Sequence, residues 1–232
     1  MTLPVLDPWT LESIGAVEAS PPQRVEEALA RAHARRASMP PAHARARILD
    51  RAADAVEADA EGFAQEIRAE AGKPVTLARS EVARAVGTLR LCAAEARTLA
   101  GEGVALEGSA EGTGRIGFTV REPRGVVLAI TPFNFPLNLV AHKVGPAIAA
   151  GCPVVLKPAE RTPLSAQRLA RVLRDAGAES GMLEVVHGVG ADVVPGMIVD
   201  PRVAVVSFTG SAAVGRRLQA LAPHIPDRKS VV

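Results

Sequence analysis

Tyrosine is absent from the 232 residues, and all aromatics together make up 3% of them. So few rings leave little surface for stacking nucleic-acid bases. The 27 basic residues are interspersed with 25 acidic ones, for a net charge of +2, and no basic block stands out. Nucleic acid is therefore not an expected partner. Cysteine occurs twice, at Cys92 and Cys152. That is too sparse for a disulfide framework or a metal-ligand spacing, so a cytoplasmic protein without a metal site is expected. No uninterrupted apolar run is long enough to span a membrane. The most apolar window, Leu137 to Leu156, is broken by His142, Lys143 and Pro146 and reads as buried core. The first residues, MTLPVLDPW, carry neither the basic nor the apolar region of a secretory signal.

What is present is 48% apolar residues, enough for a sizeable core and against disorder. Residues 1–20 are mixed and proline-bearing and read as an extended arm. Ser20 is placed to cap a helix that opens with Pro21. Val25, Leu29 and Ala32 then share one helical face. Helical spacing resumes after Pro40-Pro41 and continues to Gly72, through Ile48, Ala52, Val56, Phe63 and Ile67. Pro74 starts a last helix that ends near Gly101, with Cys92 inside it as a buried, inert thiol. Residues 1–100 thus form a helical region. From 101 to 124, glycine-rich turns separate Val104–Leu106 from Ile116–Val120 and suggest a β-hairpin. A lone hairpin is marginal in water, so this one must pack on something.

From residue 125 the pattern is strand, helix, strand. Strands are predicted at 125–131, 153–157, 183–187 and 203–207, and helices at 136–150, 163–177, 190–198 and 211–221. Such alternation predicts an α/β fold with a doubly wound parallel sheet. Ligands bind at the carboxyl ends of such strands. There the chain places Thr131-Pro132-Phe133-Asn134, Lys157-Pro158 with Glu160, Gly188-Val189-Gly190, and Phe208-Thr209-Gly210-Ser211 with Val214. Asn134 either simply suits a turn or donates hydrogen bonds to a developing oxyanion. Lys157 and Glu160 are either a solvated ion pair or a pair that reads sugar hydroxyls. Gly190 completes only half of a dinucleotide fingerprint. Ser211 is either a plain helix cap or part of an anion site.

The set PFNFP, then VVLKPAE with Thr162-Pro163 close behind, then FTGSAAVG, resembles the aldehyde dehydrogenase superfamily over about residues 20–222. This resemblance implies a Rossmann-like sheet preceded by the N-terminal helical region and by a hairpin that joins subunits. It implies a homodimer or homotetramer at full length, an aldehyde as substrate, and NAD as cofactor, with NADP possible. It assigns the oxyanion hole to Asn134. The cofactor cleft falls to Thr131, Pro132, Phe133, Lys157, Pro158, Glu160, Gly190, Phe208, Thr209, Gly210, Ser211 and Val214. Two departures are visible. Val194 stands where relatives often have Gly, and Cys152 where a small polar residue is expected.

In that family a Cys thiolate attacks the aldehyde and a Glu activates water. Both are expected beyond Val232, so the cofactor-binding part, residues 125–226, is expected to be incomplete and the chain inactive alone. Residues 227–232, DRKSVV, do not resemble the family's continuation. Back-translated, they match a sequencing adapter, so a non-native tail is expected there. Two other readings stand beside this one: a non-catalytic nucleotide-binding or assembly module, and part of a CoA-acylating relative.

Overall fold

The structure, a computed structural model, describes residues 1–222 and the backbone of 227–231. Residues 223–226 and residue 232 lie outside the described residues.

The first twenty residues are not a free arm. Strands β1 (Thr2–Leu6) and β2 (Ser13–Glu18) pair antiparallel. Asp7 folds the connection between them by accepting from the backbone N–H groups of Trp9 and Thr10 at 2.8 and 3.3 Å. Helix α1 (Pro22–Arg35) follows, with Pro21 at the capping position. Ser20 does not cap it. Its hydroxyl instead accepts from the His187 N–H at 3.1 Å, and its own N–H donates to the His187 carbonyl at 2.9 Å. The helix expected to continue to Gly72 breaks at Asp59, giving α2 (Ala42–Ala58) and α3 (Ala60–Ala71). Gly72 ends α3 in the left-handed conformation, at φ 62°, where a side chain would be strained and would meet Pro8. Helix α4 (Val75–Thr98) is the longest described element. The hairpin of 101–124 is reduced to two-residue strands, β3 (Gly103–Val104) and β4 (Gly117–Phe118).

The remainder is β5 (Val126–Ile130), α5 (Asn138–Ala149), β6 (Val154–Lys157), α6 (Leu164–Asp175), β7 (Leu183–Val185), α7 (Gly190–Ile198), β8 (Val203–Gly210), α8 (Ala212–Leu221) and β9 (Asp227–Val231). The four core strands are all parallel, in the order β7-β6-β5-β8, and the backbone at 227–231 adds a fifth parallel strand beside β8. The sequence predicts four strands, the fourth ending at residue 207. In the structure β8 runs on through Phe208, Thr209 and Gly210.

Side-chain alternation sends each strand into two cores. Val127 and Ala129 of β5, with Val154 and Leu156 of β6, pack against α2, α4, α5 and α6. Val126, Leu128 and Ile130, with Val155, pack against α1, α7 and α8. Both faces are covered, which is why β5 and β6 read as continuous apolar runs. From β5 the chain winds outward to β7 and then returns to the other side of β5 to lay down β8. Strand order therefore reverses at β5–β8. A crevice opens at such a reversal, outside the carboxyl ends of the strands.

Candidate functional site

A cavity of about 740 Å³ occupies that crevice. Eleven of the residues singled out from the sequence line it: Thr131, Pro132, Phe133, Lys157, Glu160, Gly190, Phe208, Thr209, Gly210, Ser211 and Val214. Pro158 is buried behind it, and Asn134 lies one residue beyond its wall. Phe208 enters as part of strand β8, as does Thr209, which reads from the sequence as a helix start.

The cavity has a polar end and an apolar end. At the polar end the Lys157 side chain is 4% exposed and its ammonium donates to Glu160 Oε2 at 2.8 Å, while the Glu160 side chain is 45% exposed. Burial alone would raise the Glu160 carboxyl. The hydrogen bond from Lys157, with the charges of Lys157 and Arg161, holds it below the usual carboxylate range instead. A Cβ at position 190 would stand 3.4 Å from the Lys157 Nζ, so glycine there keeps the space beside the ammonium open. At the apolar end Val194 and Pro195 of α7 face Val214 and Leu218 of α8 across the same space. The N-terminus of α8 lines the same cavity. Ser211 caps it by accepting from the Val214 N–H at 3.4 Å, and the remaining first-turn N–H groups have no intrahelical partner.

Asn134 sits in the turn between β5 and α5. Its side-chain oxygen is buried, and its amide makes no hydrogen bond to any described residue. Its backbone carbonyl is held firmly: Lys73 Nζ donates to it at 2.7 Å and to Glu81 Oε2 at 2.5 Å. Glu81 is fully buried, and its Oε1 accepts from the N–H groups of Leu137 and Asn138 at 3.0 Å each. Sequence reasoning passed over this pair. The signal was there: Glu81 falls on the buried stripe Ala78-Val82-Ala85 of α4, where an unpaired carboxylate would be costly.

Lys143 was also passed over as a functional group. It interrupts the most apolar stretch, and its buried ammonium donates to Thr209 Oγ1 at 2.8 Å and to Ser207 Oγ at 3.3 Å, across β8. Burial pushes it down to about 8. Neither cysteine belongs to the site. Cys92 is in the α4–α5 contact, where a Cβ at Gly145 would meet its sulfur at 2.9 Å, and burial pushes its thiol up to about 11. Cys152 is buried just before β6, at the opposite end of the sheet. Among the described residues no cluster of His, Cys, Asp or Glu could hold a metal ion, and no helix is long and apolar enough to cross a membrane.

Residues 1–228 match the aldehyde dehydrogenase family. The 3-sulfolactaldehyde dehydrogenase of Priestia aryabhattai is 40% identical over 94% of this chain and 46% of its own length. Aspartate-semialdehyde dehydrogenase 1 of Pseudomonas canavaninivorans is 42% identical over 92% of this chain, again 46% of its length. The chain thus spans under half the length of these curated relatives. Among solved structures, glyceraldehyde-3-phosphate dehydrogenase GapN from Methanocaldococcus jannaschii, complexed with NADP, superposes with a TM-score of 0.93 at 34% identity, over 99% of this chain and 50% of its own. The NADP-dependent enzyme from Bacillus halodurans, also complexed with NADP, gives 0.95 at 33%, over 100% and 49%. With its sequence matched over almost its whole length and its backbone superposing on solved members, this chain belongs to the aldehyde dehydrogenase family.

Proposed function

We propose that this chain forms the cofactor-binding half of an NAD(P)-dependent aldehyde dehydrogenase that oxidises an aldehyde to a carboxylic acid. The observation that carries this reading is one cleft lined by the three chemistries a dinucleotide needs. Val194, Pro195, Val214 and Leu218 form an apolar slot that suits a flat base. Lys157 and Glu160, 2.8 Å apart, offer a donor and an acceptor to ribose hydroxyls. Ser211 and the open first turn of α8 suit a pyrophosphate. The space kept free by Gly190 and the volume of about 740 Å³ fit such a group. When bound, a nicotinamide dinucleotide would supply the electron acceptor for the oxidation.

The chain's own residues set the preference and the geometry. Glu160, kept ionised beside Lys157, accepts from a ribose 2′-hydroxyl and repels a 2′-phosphate, which favours NAD over NADP. Asn134, whose amide makes no other described hydrogen bond, donates to the aldehyde oxygen as negative charge develops there. The thiolate this chemistry needs is offered by neither Cys92 nor Cys152, both buried away from Asn134. Neither cysteine of this chain is therefore the proposed nucleophile. The hairpin, with Ile116, Phe118 and Val120 exposed by 92, 71 and 69%, is the surface proposed to join copies of the full-length protein. The proposed substrate is an aldehyde bearing an acid group, as the names of the sulfolactaldehyde and aspartate-semialdehyde enzymes indicate for those relatives. Arg84, exposed and 4.9 Å over the ring of Phe135 next to Asn134, is the cation placed to meet it.

Titrating the purified chain with NADH, read by cofactor fluorescence, tests the reading. Saturable binding is expected, weakened at least about ten-fold by Gly190→Leu, which fills the cleft (about 1.4 kcal/mol). Absence of binding by the unmodified chain overturns it. No NADH is expected to form when NAD and an aldehyde panel are supplied to this chain alone, and turnover would refute the assignment of the nucleophile.

A further inference from the structure

We propose that Lys73, backed by Glu81, is a positioning residue for Asn134: it fixes the peptide that carries the oxyanion-binding amide. This rests on the oxyanion reading of Asn134 given above. One ion pair grips three peptide groups within five consecutive residues. Lys73 Nζ donates to the carbonyl of Asn134 at 2.7 Å, and Glu81 Oε1 accepts from the N–H groups of Leu137 and Asn138 at 3.0 Å each. The ammonium also sits 4.2 Å over the ring of Phe135, the residue between. Glu81 is fully buried and the Lys73 side chain only 14% exposed. Both ends of the grip come from the helical layer, and the turn comes from the sheet.

Stability alone does not account for this choice. A buried ion pair is often no more stabilising than apolar residues of the same volume, because both charges must be desolvated. What the pair adds is direction. A carbonyl held by Lys73 fixes the plane of the Asn134 peptide, and with it the direction in which the side chain leaves the backbone. An apolar contact would hold the turn in place without choosing that plane. The amide must face a charge that exists only during the reaction, so its orientation has to be set beforehand by other groups.

The test is NMR on the ¹⁵N-labelled chain, following the side-chain amide of Asn134 and the backbone amide of Phe135. Lys73→Met is expected to shift both signals from their wild-type positions, and Lys73→Arg to restore them. Leu173→Ala opens a core position in α6 and serves as a control that lowers stability without touching the turn. It should leave both signals in place. If Lys73→Met does not fold, Glu81→Gln decides the matter. It keeps an acceptor for Leu137 and Asn138 but removes the charge opposite Lys73, so the Asn134 signals should move while exchange of those two amides stays within about three-fold of wild type. Signals that stay in place in the variant that folds, or that move as far in Leu173→Ala, overturn the proposal. The NADH titration is independent, because Asn134 does not line the cavity. Its failure would sink the cofactor reading, not this one.

Discussion

Four helices of this fold start where a strand of the sheet ends, and the chain treats their N-termini in two ways. Those of α5 and α6 are sealed by buried carboxylates from the helical layer. Glu81 accepts from Leu137 and Asn138 at the start of α5, and Glu70 accepts from Leu164 and Ser165 at the start of α6. Those of α7 and α8 face the cavity; α8 has only its own Ser211, and α7 has no side-chain cap at all. The positive end of each helix dipole is thus matched internally where it is buried in the core and left available where it faces the cleft. The opposite end of α5 is matched as well: Arg45 donates twice to the carbonyl of Ala149, at 3.0 and 3.2 Å. The sealed pair of termini determines where strands and turns lie. The open pair leaves donors for an anion.

The sharpest way to break this contrast is to unseal α5. Glu81→Ala would strand the Lys73 ammonium and two buried N–H groups at once. Removing one partner of a buried pair costs about 3–5 kcal/mol. Urea unfolding followed by circular dichroism should show a loss of that size, and a loss below about 1 kcal/mol would mean the seal is incidental.

The seal on α6 behaves differently with pH. Burial pushes the Glu70 carboxyl from 4.5 up to about 7, outweighing the hydrogen bonds from Ser165 and Leu164. The folded chain therefore keeps a proton that the unfolded chain releases. The contribution of this group to stability is complete below pH 4.5 and is lost as pH rises through about 7. At about 1.4 kcal/mol per unit, the loss is on the order of 3 kcal/mol. Glu70→Gln cannot titrate, so its unfolding free energy should gain on that of wild type between pH 5 and pH 8. A constant difference across that range would show that the three donors keep Glu70 ionised throughout.

On the open side, effects should appear in binding. Glu160→Ala removes the acceptor at the polar end of the cleft and leaves the Lys157 ammonium unopposed. NADH binding should weaken about ten-fold, close to 1.4 kcal/mol, while NADPH gains relative to it. Equal weakening for both cofactors would remove Glu160 as the selecting group.

Much of this division could be read from the chain. Alternating apolar runs and helical spacing located β5 through α8 to within a few residues, because a parallel sheet buried on both faces leaves that trace. Motif positions gave eleven of the cleft residues, since strand ends and the turns after them are local features. The seals were not legible in the same way. Lys73 and Asn134 are 61 residues apart, and Glu70 and Ser165 are 95 apart. A carboxylate on a buried helical face announces only that a partner must exist. The N-terminal hairpin escaped for a similar reason. Its strands are held by pairing and by the Asp7 turn, and only Val5 and Val17 among the eleven residues of β1 and β2 are buried. Ser20 shows the competing claim directly: a residue suited to capping is taken by His187, two residues past the end of β7.

The smallest expected effect is at Ser211, and it probes the contrast most directly. Its hydroxyl accepts from Val214 N–H at 3.4 Å, a long hydrogen bond at a terminus that opens on the cavity. Replacing a serine cap by alanine typically costs about 1 kcal/mol. Here water can reach the freed N–H, so Ser211→Ala should cost no more than about 0.5 kcal/mol in urea unfolding. The same substitution leaves the first-turn donors in place, so NADH binding should survive with a loss of less than about ten-fold. A larger cost in stability would place Ser211 with Glu70 and Glu81 as a seal. A larger loss in binding, with stability kept, would mean that the hydroxyl itself, and not only the open turn, meets the anion.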